Sequence, residues 1–228
     1  CVPASSRHRP AAAAILGGDV YEPNTLGFIA AHCGDGDIVH AGTYFGDFLP
    51  ALARCCRGTV WAFEPNMENF RCAEVTILLN GISNVRLTRA GLGSAPGQLP
   101  LIVADESGLA RGGSSRFVRD GTRGTGIAEI VPIVSIDETV PVDRNVSVLQ
   151  LDVEGSEQDA LMGAMKTIER CRPFIVVEVL ATSPLRSTDW LARNILSSGY
   201  RLTGTIHGNA VLVPAEHLHA ATAPSGIG

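Results

Sequence analysis

Hydrophobic and polar positions alternate along the chain with two periods. Short, largely apolar runs recur at DIVHAG (37–42), TVWAFEP (59–65), NVRLTRAG (84–91), VSVLQLDV (146–153) and PFIVVEV (173–179), and each predicts a strand. The last is almost continuously apolar, as a strand covered by helices on both faces should be. Helical spacing lies between them. In NMENFRCAEVTILLNG (66–81), Phe70, Ala73, Ile77 and Leu78 recur on one side, Asn66 can cap the start and Gly81 can end it. In SEQDALMGAMKTIERC (156–171), Ser156 sits at the cap and Ala160, Leu161, Ala164, Met165 and Ile168 form the apolar face. EPNTLGFIAAHC (22–33) reads as a short helix with Leu26, Ile29 and Ala30 on one side. Further helices are expected from about Asp47 and near Thr188–Ser198. YRLTGTIHGNAVLVP (200–214) reads as two strands joined at HGN, a hairpin signal.

The alternation predicts one α/β domain over residues 21–216, a doubly wound, mostly parallel sheet with a C-terminal antiparallel hairpin and helices on both faces. Two stretches depart from it. LPLIVAD and IAEIVPIVSI look extended, and residues 105–126 between them are rich in Gly, Ser and Arg, which predicts a mobile insert or lid. Residues 1–20, rich in Ala, Pro and Ser, and residues 217–228 read as tails.

Composition narrows the partners. Of 228 residues, 45% are apolar and 18% charged, enough for a sizeable core. The net charge of −5 argues against nucleic acid, which needs clustered Lys and Arg. No apolar run is long enough to span a bilayer. None of the six cysteines forms a CxxC pair, so buried reduced thiols and a cytoplasmic location are expected.

Ligands of such sheets bind beyond the carboxyl ends of the strands. The loop after the first strand, HAGTYFGD, has Gly42 and Gly46 but places Tyr44 where a dinucleotide fingerprint needs its second glycine. Asp47 adds negative charge where a phosphate would sit. The loop is therefore a poor phosphate cradle, which counts against a nicotinamide-dependent oxidoreductase. It suits a nucleoside without phosphate, such as S-adenosyl-L-methionine (SAM). Glu64, at the end of the second strand, is placed to accept from ribose hydroxyls, since a carboxylate is acceptor-only.

HAGTYFGD, VWAFEPNMENF, ILLNGISNVRL, VPIVSIDE, LQLDVEGSEQDALMGA and RPFIVVEV resemble, in order, the motifs of FkbM-type SAM-dependent methyltransferases over roughly residues 37–180. The resemblance implies a Rossmann-like class I methyltransferase fold with seven strands, and O-methylation of sugars, glycans or natural products. It implies a donor site formed by His40, Gly42, Tyr44, Phe45, Gly46, Glu64, Pro65, Asn66, Ala90, Gly91, Leu92 and Asp152. Many relatives open the glycine loop with an acid; His40 stands there in this chain. A neutral His can accept one hydrogen bond from the SAM ammonium, whereas a protonated one would repel it.

Asp152, Glu154 and His40 are the candidate catalytic groups, because an alcohol acceptor benefits from a base near the methyl group. Glu154 has an alternative role, bracing the following helix through backbone donors. Arg111 and Arg116 in the insert, with Glu178 at the fifth strand end, are candidate acceptor contacts. Asp152 and Glu178 have the chemistry for a divalent cation, but a substrate-contacting or solvated pair is expected and no metal is assigned. A binding module of the same fold without turnover is the competing reading.

Overall fold

A computed structural model describes residues 1–118, 125–179, 183, 185 and 189–218 of the chain. The first three apolar runs form β1 (Asp37–Ala41), β2 (Val60–Phe63) and β3 (Val85–Thr88). Four strands follow: β4 (Gly91–Leu92), β5 (Gly97–Ala104), β6 (Arg116–Phe117) and β7 (Ile127–Val134). The remaining runs form β8 (Val146–Leu151), β9 (Phe174–Glu178), β10 (Tyr200–Ile206) and β11 (Asn209–Pro214). The main sheet runs β10-β11-β9-β8-β1-β2-β3, with β11 antiparallel to both neighbours and the other pairs parallel. The hairpin turns at His207 and Gly208, at φ 48° and 86°, the sense that matches strand twist. The expected sheet is thus present. The extended stretches after β3 form a separate four-stranded sheet, β4-β7-β5-β6.

Side-chain alternation along the central strands builds two cores. Val39, Ala41, Leu149, Leu151, Ile175 and Val177 share a core with α5 (Ile136–Thr139), α6 (Glu157–Met162) and α7 (Met165–Cys171). Ile38, Val60, Ala62 and Val148 face α2 (Pro23–His32), α3 (Leu49–Cys55) and Ala73 and Ile77 of α4 (Met67–Leu79). Asn66 caps α4 as expected, accepting from the N–H groups of Glu68 and Asn69.

Several expectations are corrected. Residues 1–20 are not a free tail: Pro10 starts helix α1 (Pro10–Leu16), and Ala11 and Ala12 pack on Tyr44 and Phe45. Proline at N1 and an alanine run are helix signals, and packing fixed them. Leu78 is 78% exposed, because α4 turns polar residues inward: Thr76 donates to the Phe45 carbonyl and Asn69 to Glu64. Ala30 is likewise exposed; Ile29 is buried as expected, and Thr25 is buried beside it. The helix after Asp47 begins at Leu49, leaving Asp47 in the preceding loop. The helix over 156–171 is split at Gly163, where a Cβ would lie 2.1 Å from the Gly93 carbonyl oxygen. Asp137 then caps α7 from outside, accepting from the N–H groups of Lys166 and Thr167. The C-terminal segment does not leave the fold at 217, since His217 lies in a short 3-10 turn against the Phe174 ring. Arg119, Arg123, Thr188 and residues 219–228 lie outside the described residues.

The opposite edge of the sheet from the strand carboxyl ends is tied by Asp37. Its buried carboxylate accepts from Thr59 N–H (2.8 Å), Trp61 Nε1 (2.8 Å) and Arg144 Nε (2.8 Å). Burial alone would raise this carboxyl, but the Arg144, Thr59 and Trp61 donors outweigh it and hold it below the usual range. Replacing Asp37 with Ala should destabilise the fold by ~3 kcal/mol. The wild-type contribution should disappear as pH falls below about 4, because the depressed carboxyl then takes up a proton. Urea unfolding at neutral and acid pH checks both; a loss under ~1 kcal/mol at neutral pH would contradict the assignment.

Candidate active site

β1 ends at Ala41 and the chain turns at Gly42, whose φ is +84°. A Cβ on Gly42 would lie 1.8 Å from the Asp152 carbonyl oxygen, so only glycine lets β1 and β8 end this close together. The N–H groups of Gly42 and Thr43 both donate to the Phe63 carbonyl, latching the loop onto β2. Tyr44 holds φ 52° and donates its N–H to Glu64 at 2.7 Å. Glu64 also accepts from Asn66 N–H (2.9 Å) and Asn69 Nδ2 (3.3 Å). After β8 a second strained turn has Glu154 at φ 53° and Gly155 at 96°. Glu157 braces it, accepting from the N–H groups of Val153 and Gly155. Bracing thus falls to Glu157, and Glu154 is left lining the cleft.

These turns surround a cavity of about 350 Å³. The glycine loop supplies Gly42, Tyr44 and Asp47, and the strand ends supply His40, Glu64, Gln150, Asp152 and Glu154. The N-terminal segment closes one side with Arg9, Pro10, Ala11, Tyr21 and Glu22, and Gly113 and Ser114 close another. A narrower cavity of about 30 Å³ adjoins it and includes Pro65, Ala90, Gly91, Leu92 and Phe117. Both cavities share Gly42, Glu64, Gly113, Asp152 and Glu154.

The lining is strongly acidic. Among the described residues, five carboxyl groups and one guanidinium face the larger cavity. Burial pushes the Asp47, Glu64 and Glu154 carboxyls up to about 7; for Glu64 this holds despite three N–H donors. Burial, then the neighbouring Glu178, raises Asp152 well above the usual carboxylate range. Burial likewise brings Glu178 to about 7, and the two carboxyls share a hydrogen bond. His40 goes the other way: burial lowers it to about 4, opposed by its hydrogen bond to Gln150.

The structure therefore gathers His40, Gly42, Tyr44, Glu64, Asp152 and Glu154 around one cavity, and Pro65, Ala90, Gly91 and Leu92 around the next. It does not bring in all the expected residues. Phe45 is buried against α1, and Gly46 packs on Ala73 of α4. Asn66 caps α4 and donates to Ser115. Arg111, Arg116 and Glu178 line neither cavity, though Glu178 shares a hydrogen bond with Asp152 and feels the charge of Glu154. Among the described residues, no group of three or more His, Cys, Asp or Glu is placed to hold a metal ion. Sequence reasoning missed Arg9, Tyr21, Glu22, Gln150 and Phe117. Only Gln150 carried a signal, as a polar residue in a strand that must be buried.

The raised carboxyls make a pH prediction. In the ligand-free fold they bind protons up to about pH 7, whereas in the unfolded chain they lose them near pH 4. The folded state holds more protons in that window, so stability falls as pH rises through it. Thermal unfolding of the ligand-free protein should therefore show Tm decreasing between about pH 5 and about pH 7.5. A flat or rising Tm would contradict the buried-acid description.

The family model for the methyltransferase FkbM domain matches residues 40–202. Among solved structures, methyltransferase FkbM from Methylobacillus flagellatus KT is similar, with TM-score 0.52 and 20% identity over 78% of this chain and 43% of that one. The chain thus spans less than half of that protein's length. Precorrin-6y C5,15-methyltransferase from Geobacter metallireducens GS-15 aligns with TM-score 0.47 and 11% identity over 84% of this chain and 85% of that one. No curated protein matches the chain. With a match that begins at His40, runs through both strained turns and ends in β10, the chain belongs to the FkbM methyltransferase family.

Proposed function

We propose that this chain transfers a methyl group from SAM to a hydroxyl oxygen of a sugar, glycan or natural-product acceptor. The observation that carries the reading is a nucleoside-sized cleft at the strand ends, walled by carboxyls that burial keeps partly protonated. Such a cleft favours a cationic ligand and disfavours a diphosphate, whose charge the acids would repel. The residues present fit SAM: His40 Nε2 is a buried nitrogen without a partner among the described residues, and its residue lines the cavity. When bound, SAM supplies the electrophilic methyl group.

The chain's own residues would align and deprotonate the acceptor. Glu64 and the glycine loop would hold the nucleoside, with Pro65, Ala90, Gly91 and Leu92 beside the base. Asp152 and Glu154 would face the methyl group, and the Asp152–Glu178 pair would take the hydroxyl proton. A carboxyl whose pKa burial has raised is a better base for an alcohol than an ordinary one. The acidic lining and the net charge of −5 favour a neutral acceptor over nucleic acid. The six cysteines are free thiols, which suits a cytoplasmic enzyme.

Methyl transfer from labelled SAM to a panel of sugars and hydroxylated natural products tests the reading. Asp152→Asn, assayed at saturating SAM, should lower kcat by about 100-fold or more. Wild-type kcat in this variant would remove Asp152 from catalysis. Transfer only to amines or carboxylates would overturn the hydroxyl acceptor, and binding without transfer to any acceptor would favour a non-catalytic module.

A further inference from the structure

His40 and Gln150 are register partners across the parallel pair β1 and β8. They follow Ile38 and Val148 by two residues and so project on the same face of the sheet. The Gln150 side-chain oxygen meets His40 Nδ1 in a short hydrogen bond. An amide oxygen carries no proton, so this contact requires the hydrogen on Nδ1. In the neutral ring Nε2 is then a bare acceptor. Nε2 is buried and lacks a partner among the described residues, while His40 lines the larger cavity. The Phe48 ring lies nearly parallel to the imidazole, with centroids 5.5 Å apart, and holds its plane. A buried acceptor without a donor is costly until a ligand supplies one.

We infer that Gln150 is a positioning residue that fixes His40 in its Nδ1–H form, so that Nε2 accepts a hydrogen bond from the ammonium at the amino-acid end of the methyl donor. The inference rests on the methyl-donor reading above. A carboxylate at position 40 would attract the ammonium by charge. The imidazole does so as a neutral acceptor, and that works only while its second nitrogen stays unprotonated. Burial supports this by holding the ring pKa down to about 4. Other charged groups face the same cavity: Arg9 before α1, Glu22 at the start of α2, Asp47 in the glycine loop, Glu64 after β2, and Asp152 and Glu154 after β8. These groups are common to wild type and variant, so comparison at matched pH isolates the change at position 150.

Two probes separate the amino-acid end from the rest of the ligand: S-adenosylhomocysteine carries it, and 5′-methylthioadenosine does not. Nitrogen-15 NMR of the ligand-free wild type should show His40 protonated at Nδ1 and bare at Nε2. In Gln150→Glu the new carboxylate accepts the same Nδ1–H and stabilises the imidazolium. S-adenosylhomocysteine should then bind about tenfold more weakly at about pH 6, with the deficit narrowing towards about pH 8. The affinity for 5′-methylthioadenosine should stay within about twofold, since it lacks the amino-acid end that the inference assigns to His40. If Gln150→Glu does not fold, Gln150→Met removes the acceptor instead; both ring forms should then be populated, with only S-adenosylhomocysteine weakened. A wild-type His40 protonated at Nε2, or equal weakening of both probes, would overturn the assignment. Failure of both probes to bind the wild type would overturn the methyl-donor reading itself, while the NMR result on the ligand-free ring would stand apart from it.

Discussion

Carboxyl groups from four parts of the chain converge on one cleft with a single guanidinium facing them among the described residues. Ionised acids in such a setting repel one another and lose solvation, so burial shifts Asp47, Glu64 and Glu154 towards protonation. A fold keeps such an arrangement only if something offsets it. A cationic ligand does so directly, because it restores the ionised form of each acid it approaches. The remaining features of the cleft serve that approach. Gly42 lets β1 and β8 close to a separation that no side chain would allow, and Tyr44 and Glu154 accept unfavourable backbone angles to turn the chain around the hole.

The strain has a counterweight at the other end of the sheet. Asp37 gathers donors from β2, its preceding loop and the segment before β8, and joins them at the amino edge of the central strands. The helices add two apolar faces, one on each side of the sheet. The Asp37 tie thus lies at the end of the sheet opposite the strained turns. The N-terminal helix links the two tasks, burying Ala11 and Ala12 against the glycine loop while Arg9 enters the cleft.

Much of this was legible in the sequence, and the limits have physical causes. The strands of the main sheet stood out because apolar runs bounded by turn residues have few other uses. The motif acids Glu64, Asp152 and Glu154 could be placed because strand ends on one edge of a parallel sheet must meet. The acidity of the cleft could be read only in part: Asp47 sits in the glycine loop and could be placed, but Glu22 comes from the start of α2, far from any motif. Helix α1 was hidden by composition, as a short alanine run is helical only when packing supports it. Leu78 misled because helical period identifies a stripe but not which polar neighbours will displace it inward. Gln150 stood out as a polar residue in a buried strand, but its pairing with His40 needed the register of β1 on β8, which no local pattern carries.

Isothermal titration of the purified protein with SAM, in two buffers of different ionisation enthalpy near pH 6.5, tests the central claim most directly. If the cleft is built of raised carboxyls awaiting a cation, SAM binds and protons leave the protein, so the observed heat differs between the buffers in the sense of release; NAD gives no binding heat. SAM binding without proton release, or a cleft that takes NAD and leaves SAM in solution, would contradict the account.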